Sequence, residues 1–167
     1  MFILKKLEYN RQRAVEYAKE WAYKRNPLFY NFDSVGGDCT SFVSQCIYYA
    51  NKIMNYNRLG WYYKNGYNKS ASWSGVEYLY NFLTTNESVG PYGREVDINE
   101  IDIGDIIQLS FDGQKFTHSL IVVDTYNQNG YKRVFVATHT EDSYYRELLT
   151  YKFDKIRFIK IDAIRSW

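Results

Sequence analysis

The chain has 167 residues, 21 of them basic and 19 acidic, with 46% apolar residues and two cysteines. That length suits one domain spanning 1–167, with a core that needs no disulfide or metal staple. The near balance of charge gives no electrostatic case for nucleic acid, and no window is apolar for long enough to insert in a membrane. The start, Met1-Phe2-Ile3-Leu4-Lys5-Lys6, is charged too soon for the apolar core of a signal peptide. As written, the chain is expected to be a cytoplasmic monomer; as a segment of a precursor, or released by another route, it would belong to the cell wall or exterior. The 18 tyrosines accompany abundant Asn, Lys and Ile, a pattern that AT-rich codon usage produces, although tyrosine also lines grooves for sugars and peptides.

In chain order, a first helix is expected over 11–25, with Ala14, Ala18, Trp21 and Ala22 on one face and Pro27 stopping it. An aromatic, glycine-rich loop over 28–37 leads into Gly36-Gly37-Asp38-Cys39. From Cys39 the apolar residues Phe42, Val43, Cys46, Ile47 and Ala50 fall at helical spacing, which predicts a helix fading after Ala50. Residues 51–71 read as irregular. A third helix is expected from Ser74 to about Thr85, with a capping box to Glu77 and Trp73 stapled against Tyr78. After a turn-prone stretch, strands are expected over 105–111, 116–126, 131–140 and 155–164, joined by turns at Asp112-Gly113 and Asn127-Gln128-Asn129-Gly130. Helices first and an antiparallel sheet second make an α+β fold.

Cys39 falls in the first turn of its helix, where unpaired amides and the helix dipole favour an anion, so its thiol pKa is expected to be lowered. The same amides can hold an oxyanion, and Asp38 is a natural N-cap. Cys46 lies seven residues on, in the helix interior, and is expected to pack in the core. The two sulfurs sit about 10 Å apart along one helix, which excludes a disulfide between them and argues against a shared zinc ion. No metal or cofactor is expected.

The two histidines, His118 and His139, fall in neighbouring strands. If Tyr126 stands opposite Tyr131, they face each other; if Asn129-Gly130 forms a two-residue turn, they are diagonal. Either register puts both imidazoles on one sheet face, and a one-residue bulge would separate them. A thiol, an imidazole and a group that orients the imidazole are the parts of a cysteine hydrolase. On this reading Cys39 is the nucleophile, His118 the base and His139 the orienter.

Asp38-Cys39-Thr40-Ser41-Phe42-Val43 resembles the Asp-Cys-Ser-Gly-Leu-Val signature of the NlpC/P60 branch of papain-like cysteine peptidases. Gly104-Asp105-Ile106-Ile107, His118-Ser119-Leu120-Ile121-Val122 and Phe135-Val136-Ala137-Thr138-His139 resemble later motifs of that family, in the same order. The bacterial group called the putative amidase domain is more similar still, from Tyr17-Ala18 through Tyr30-Asn31-Phe32, Gly60-Trp61-Tyr62-Tyr63 and Ser72-Trp73 to Arg157-Phe158-Ile159. The resemblance implies a papain-like, NlpC/P60-like fold with N-terminal helices packed on a C-terminal antiparallel sheet. It also implies amide hydrolysis through a thioester on Cys39, with bacterial peptidoglycan or a peptide as substrate. Asp142, inside the matched His139 motif, is a second candidate for the third catalytic role. Tyr30, Trp61 and Trp73 are the candidate substrate-binding aromatics. Ser41 and Leu120 stand where NlpC/P60 proteins have glycine, so that family's groove does not carry over. The alternatives are acyl transfer on the same fold and a non-catalytic peptidoglycan-binding module.

Overall fold

A computed structural model describes residues 3–167. Its elements are β1 (Lys5–Leu7), α1 (Arg11–Trp21), α2 (Cys39–Asn51), a short hairpin of β2 (Tyr63–Asn65) and β3 (Asn68–Lys69), α3 (Ala71–Ser74) and α4 (Val76–Thr85), followed by β4 (Gly90–Val96), β5 (Ile106–Ser110), β6 (His118–Gln128), β7 (Tyr131–Thr138), β8 (Ser143–Glu147) and β9 (Lys155–Ser166). The expected α+β arrangement is present as a curled antiparallel sheet in the order β1-β9-β5-β6-β7-β8, with β4 on the other edge of β9. Among the described residues no helix is long and apolar enough to cross a membrane.

Both faces of the sheet are buried, so β5 reads as an almost unbroken apolar run. On one face Ile106, Ile121, Ala137 and Ile159 pack against Phe42, Val43, Cys46 and Ile47 of α2. The other face closes over Ile107, Leu109, Leu120, Val122 and Val136, with Leu148 and Tyr151 as its cover. Trp61 and Trp73 are completely buried in the helix-side core, their rings 5.0 Å apart. They hold α2 to the segment after it and have no surface to offer a substrate, contrary to the expectation.

Four local expectations are also corrected. The first helix ends at Trp21. The third is split by Gly75, whose extended backbone (φ −108°, ψ 127°) makes it the N-cap of α4; Glu77 then reaches Arg157 at 2.9 Å and forms no capping box. Tyr78 is exposed while Trp73 is buried, so no staple forms. Within the stretch read as turn-prone, β4 runs along β9, and Gly93 is required there because a Cβ would stand 1.9 Å from the Lys160 carbonyl oxygen.

Gly104-Asp105 has a structural purpose. Gly104 has φ +82° with the Tyr9 ring packed over it, and Tyr9 Oη donates to its carbonyl at 2.9 Å. The fully buried Asp105 carboxylate accepts from Arg11 Nη1 at 2.7 Å and from the amides of Ile161 and Asp102 at 2.9 Å each. Arg11 also donates to the carbonyls of Ile103 and Ile161. Burial raises the Asp105 pKa even against Arg11, so what the carboxylate contributes is mainly the satisfaction of these donors. Asp105→Ala is expected to lower stability by about 3 kcal/mol, read as a lower urea midpoint at unchanged slope; a loss under about 1 kcal/mol would mean water replaces the carboxylate.

Candidate active site

Cys39 is the first residue of α2 and is 6% exposed. Asp38 precedes it as N-cap, but its side chain does not cap the helix. Instead Asp38 Oδ1 accepts from the Phe32 amide at 2.9 Å, and Oδ2 lies 2.6 Å from His139 Nδ1. The first-turn amides of α2 therefore keep their donors free of a cap. The thiol lies against the backbone amides of Ser119 and Thr40, with Thr40 Oγ1 at 3.8 Å. Burial pushes the Cys39 thiol up, against the smaller help of these donors, and Asp38 adds to the rise. The expected lowering is overturned because removing a thiolate from water costs more than a helix terminus returns, ~2 kcal/mol at best. Cys46 is fully buried, with its thiol pushed up further.

The sheet register decides where the histidines point. The β6–β7 hairpin closes with Gln128 opposite Tyr131, the two-residue turn. Val123 is an extra residue, however: Asp124 faces Phe135 on one side of it and Val122 faces Val136 on the other. Beyond this bulge the parity is reversed, and the two imidazoles lie on opposite faces. His139 belongs to the face that packs on α2. Its ring stacks on Phe42 with centroids 4.0 Å apart, and it is 1% exposed. Its Nε2 lies 2.7 Å from the Trp21 carbonyl, which can only accept, so Nε2 carries a hydrogen. Nδ1 shares a proton with Asp38. Both nitrogens are committed, and neither orients His118.

His118 is paired with Leu109 of β5 and projects to the other face, near Phe111 and Tyr151. Thr138, one residue before the histidine assigned as orienter, supplies its contact: Thr138 Oγ1 is 3.4 Å from His118 Nε2. The single hydrogen of the threonine hydroxyl lies between the carbonyls of His139 (2.7 Å) and Ser119 (3.0 Å), so its oxygen accepts from Nε2–H and leaves Nδ1 with the lone pair. Burial first, and the charge of Arg146 second, bring the His118 pKa down to about 4. At neutral pH both the thiol and the imidazole are thus uncharged. Among the described residues no hydrogen bond joins them; the link between them is the Ser119 amide beside Sγ.

Asp142 sits in an ion-pair cluster and not at the imidazole. Arg25 grips it with two bonds of 2.9 Å and grips Asp33 at 3.0 and 3.1 Å, and it lies 3.7 Å from Asp38. Between His139 and Asp142 the turn into β8 carries Thr140 and Glu141 at φ 68° and 55°, left-handed values that strain a β-branched threonine. Thr140 Oγ1 packs 3.2 Å from where a Cβ of Gly37 would be. Tyr30 is half-exposed; its amide donates to Tyr63 Oη, and its hydroxyl bonds neither Cys39 nor His118. His118, Phe111, Thr140, Arg146, Tyr151 and Lys152 line a cavity of about 460 Å³.

The class is that of an α+β protein gathering a helix-borne thiol, a neutral imidazole and a basic-walled cavity around one end of an antiparallel sheet. The chain belongs to the Putative amidase domain family, which it matches over residues 8–161. It is 33% identical over 120 residues to the Uncharacterized protein YhbB of Bacillus subtilis (strain 168), covering 70% of this chain and 37% of that protein. The chain therefore spans little more than a third of that relative's length. No solved structure matches it.

Two outcomes follow from the geometry. His139→Ala leaves the Asp38 carboxylate buried without its main partner and is expected to cost about 3 to 5 kcal/mol, whereas Asp142→Ala, in a partly exposed pair, should cost about 1 kcal/mol or less; urea unfolding in the reverse order would refute the ranking. The unfolded chain takes up a proton at His118 near pH 6.5 and the folded chain only near 4, so stability falls with pH across that window. The loss is on the order of 3 kcal/mol, and His118→Gln should flatten it in urea midpoints measured from pH 7 to 4.

Proposed function

We propose that the chain is a cysteine-dependent amide hydrolase of papain-like, NlpC/P60-like type, with Cys39 as nucleophile and His118 as base. The observation that carries this reading is the place of Cys39 at the uncapped start of α2, where the adjoining Thr40 hydroxyl lies 2.9 Å from the hydroxyl of Ser119, the residue bonded to His118. In the reaction His118 Nδ1 takes the thiol proton as Sγ attacks the amide carbonyl carbon, and the first-turn amides of α2 receive the oxyanion. The C–N bond then breaks, the imidazolium gives its proton to the leaving amine, and a thioester remains. Water, deprotonated by the same nitrogen, releases the acid and regenerates the thiol. Thr138 holds the ring in the tautomer this needs. Because both groups are neutral at rest, attack proceeds by general-base transfer without a standing thiolate–imidazolium pair. The ring and the sulfur have to meet past the end of β6, and catalytic contacts are commonly looser before substrate binds.

The substrate proposed is an amide bond of bacterial peptidoglycan, supported by the resemblance of the Cys39 and His118 motifs to NlpC/P60 proteins. Incubation with purified walls should release new amino or carboxyl termini, detected by mass spectrometry. Cys39→Ala and His118→Ala should each lower turnover by at least ~10³-fold with the fold intact, and a chelator should leave it unchanged. Iodoacetamide should modify Cys39 slowly and Cys46 more slowly still. Turnover that survives in Cys39→Ala would refute the nucleophile; release from soluble peptides but never from walls would refute the substrate. The rival reading, a non-catalytic binding module, draws on the neutral resting pair and requires walls to be bound and never cut.

A further inference from the structure

The wall of the His118 cavity is more basic than the proposed chemistry needs. Arg146 is fixed in it: Nε donates to Thr150 Oγ1 at 2.8 Å, Nη2 donates to the Thr150 carbonyl at 3.2 Å, and the guanidinium lies 3.6 Å over the Tyr151 ring. That leaves Nη1, whose nearest ion-pair contact is the Glu141 carboxylate at 3.9 Å, on a side chain 84% exposed. Lys152 stands on the same wall, exposed, with no hydrogen bond or ion pair among the described residues. Tyr151 Oη is buried and makes no well-aligned hydrogen bond. Burial raises its pKa, so the phenol stays protonated, and Arg146 and Ser143 are close enough to oppose that rise. A guanidinium held in place, whose Nη1 meets only an exposed carboxylate at 3.9 Å and stands in one wall with a second cation, is the arrangement of a site that takes an anion.

We propose that this cavity is a carboxylate subsite, in which Arg146 Nη1 and Lys152 receive a free carboxylate of the substrate beside His118. Two cations set against Glu141 leave one net positive charge, which matches a monoanion better than a phosphate dianion. Because the guanidinium is already held by Thr150 and Tyr151, little ordering is required when the anion docks. For turnover, the inference rests on the proposed roles of Cys39 and His118. A carboxylate on Arg146 cancels the cation that helps keep the imidazole unprotonated, although burial, the larger cause, remains. The base would then be strongest when a substrate carrying that carboxylate is bound, and amides without one would meet a weaker base.

The test uses the full chain with Cys39→Ala, so that nothing is turned over, and N-acetylglycine as probe, with N-acetylglycinamide and inorganic phosphate as comparisons. The His118 ring is followed by NMR through a pH titration. N-acetylglycine should bind saturably and raise the His118 pKa above its free value of about 4, while the amide should do neither. Arg146→Gln should weaken binding at least ~10-fold and raise the His118 pKa without any probe; Arg146→Lys should keep part of the binding. Equal responses to acid and amide, unchanged binding in a folded Arg146→Gln protein, or a preference for phosphate would each overturn the assignment. Since no turnover is measured, these outcomes are independent of whether walls are cut, and failure of the wall assay leaves the binding result standing.

Discussion

The buried contact between Asp38 and His139 is the constraint around which this end of the molecule is organised. It takes the residue that would ordinarily cap α2 and turns it inward, so that the first amides of the helix stay uncapped beside Cys39. Through its other nitrogen His139 reaches the end of α1, so one imidazole joins α1, the turn before α2 and the end of β7. Arg25 repeats the linkage nearer the surface, through Asp33 and Asp142. With both ends of the β7–β8 turn tied down, Thr140 and Glu141 are held in left-handed conformations that cost on the order of 1 kcal/mol or more each. The strained turn forms part of the wall of the His118 cavity and packs against Gly37, two residues before Cys39.

Burial and helix-terminus electrostatics act in opposite directions at Cys39, and burial wins. A helix terminus is worth ~0.3 to 2 kcal/mol to an anion, less than a nearly enclosed thiolate loses in hydration. At His118 desolvation and Arg146 act in the same direction, against the charged ring. The two groups proposed to react are therefore held apart in proton affinity until something else enters the site. What enters has to supply either negative charge or hydrogen bonds to the developing oxyanion.

The start of α2 was legible because an apolar stripe and a glycine pair both mark it. Gly104-Asp105 was legible as a motif but not as a device of the fold, since its partners Tyr9, Arg11 and Ile161 lie far off in sequence. The histidine faces were not legible: parity counting depends on every residue between turn and site, and nothing at Val123 signals a bulge. Thr138 stayed hidden for the same reason. Strand β4 was lost behind Gly90, Pro91 and Gly93, turn formers that here sit along β9, and β8 follows a turn whose Thr140-Glu141 carries no Asn-Gly signature. Trp61 and Trp73 resemble binding surface in sequence because an aromatic residue's size is legible there and its depth is not.

The protonated state of Cys39 has a chemical side unrelated to turnover. Peroxide and other oxidants attack sulfur through the thiolate, and sulfinic and sulfonic acids are dead ends for a nucleophile. Enclosed behind the Ser119 strand and kept neutral by its own burial, this sulfur presents almost none of the reactive form to such agents. A chain that met an oxidising exterior would thus keep Cys39 reduced without a partner thiol to shield it, since Cys46 is sealed in the core and out of reach for a protective disulfide.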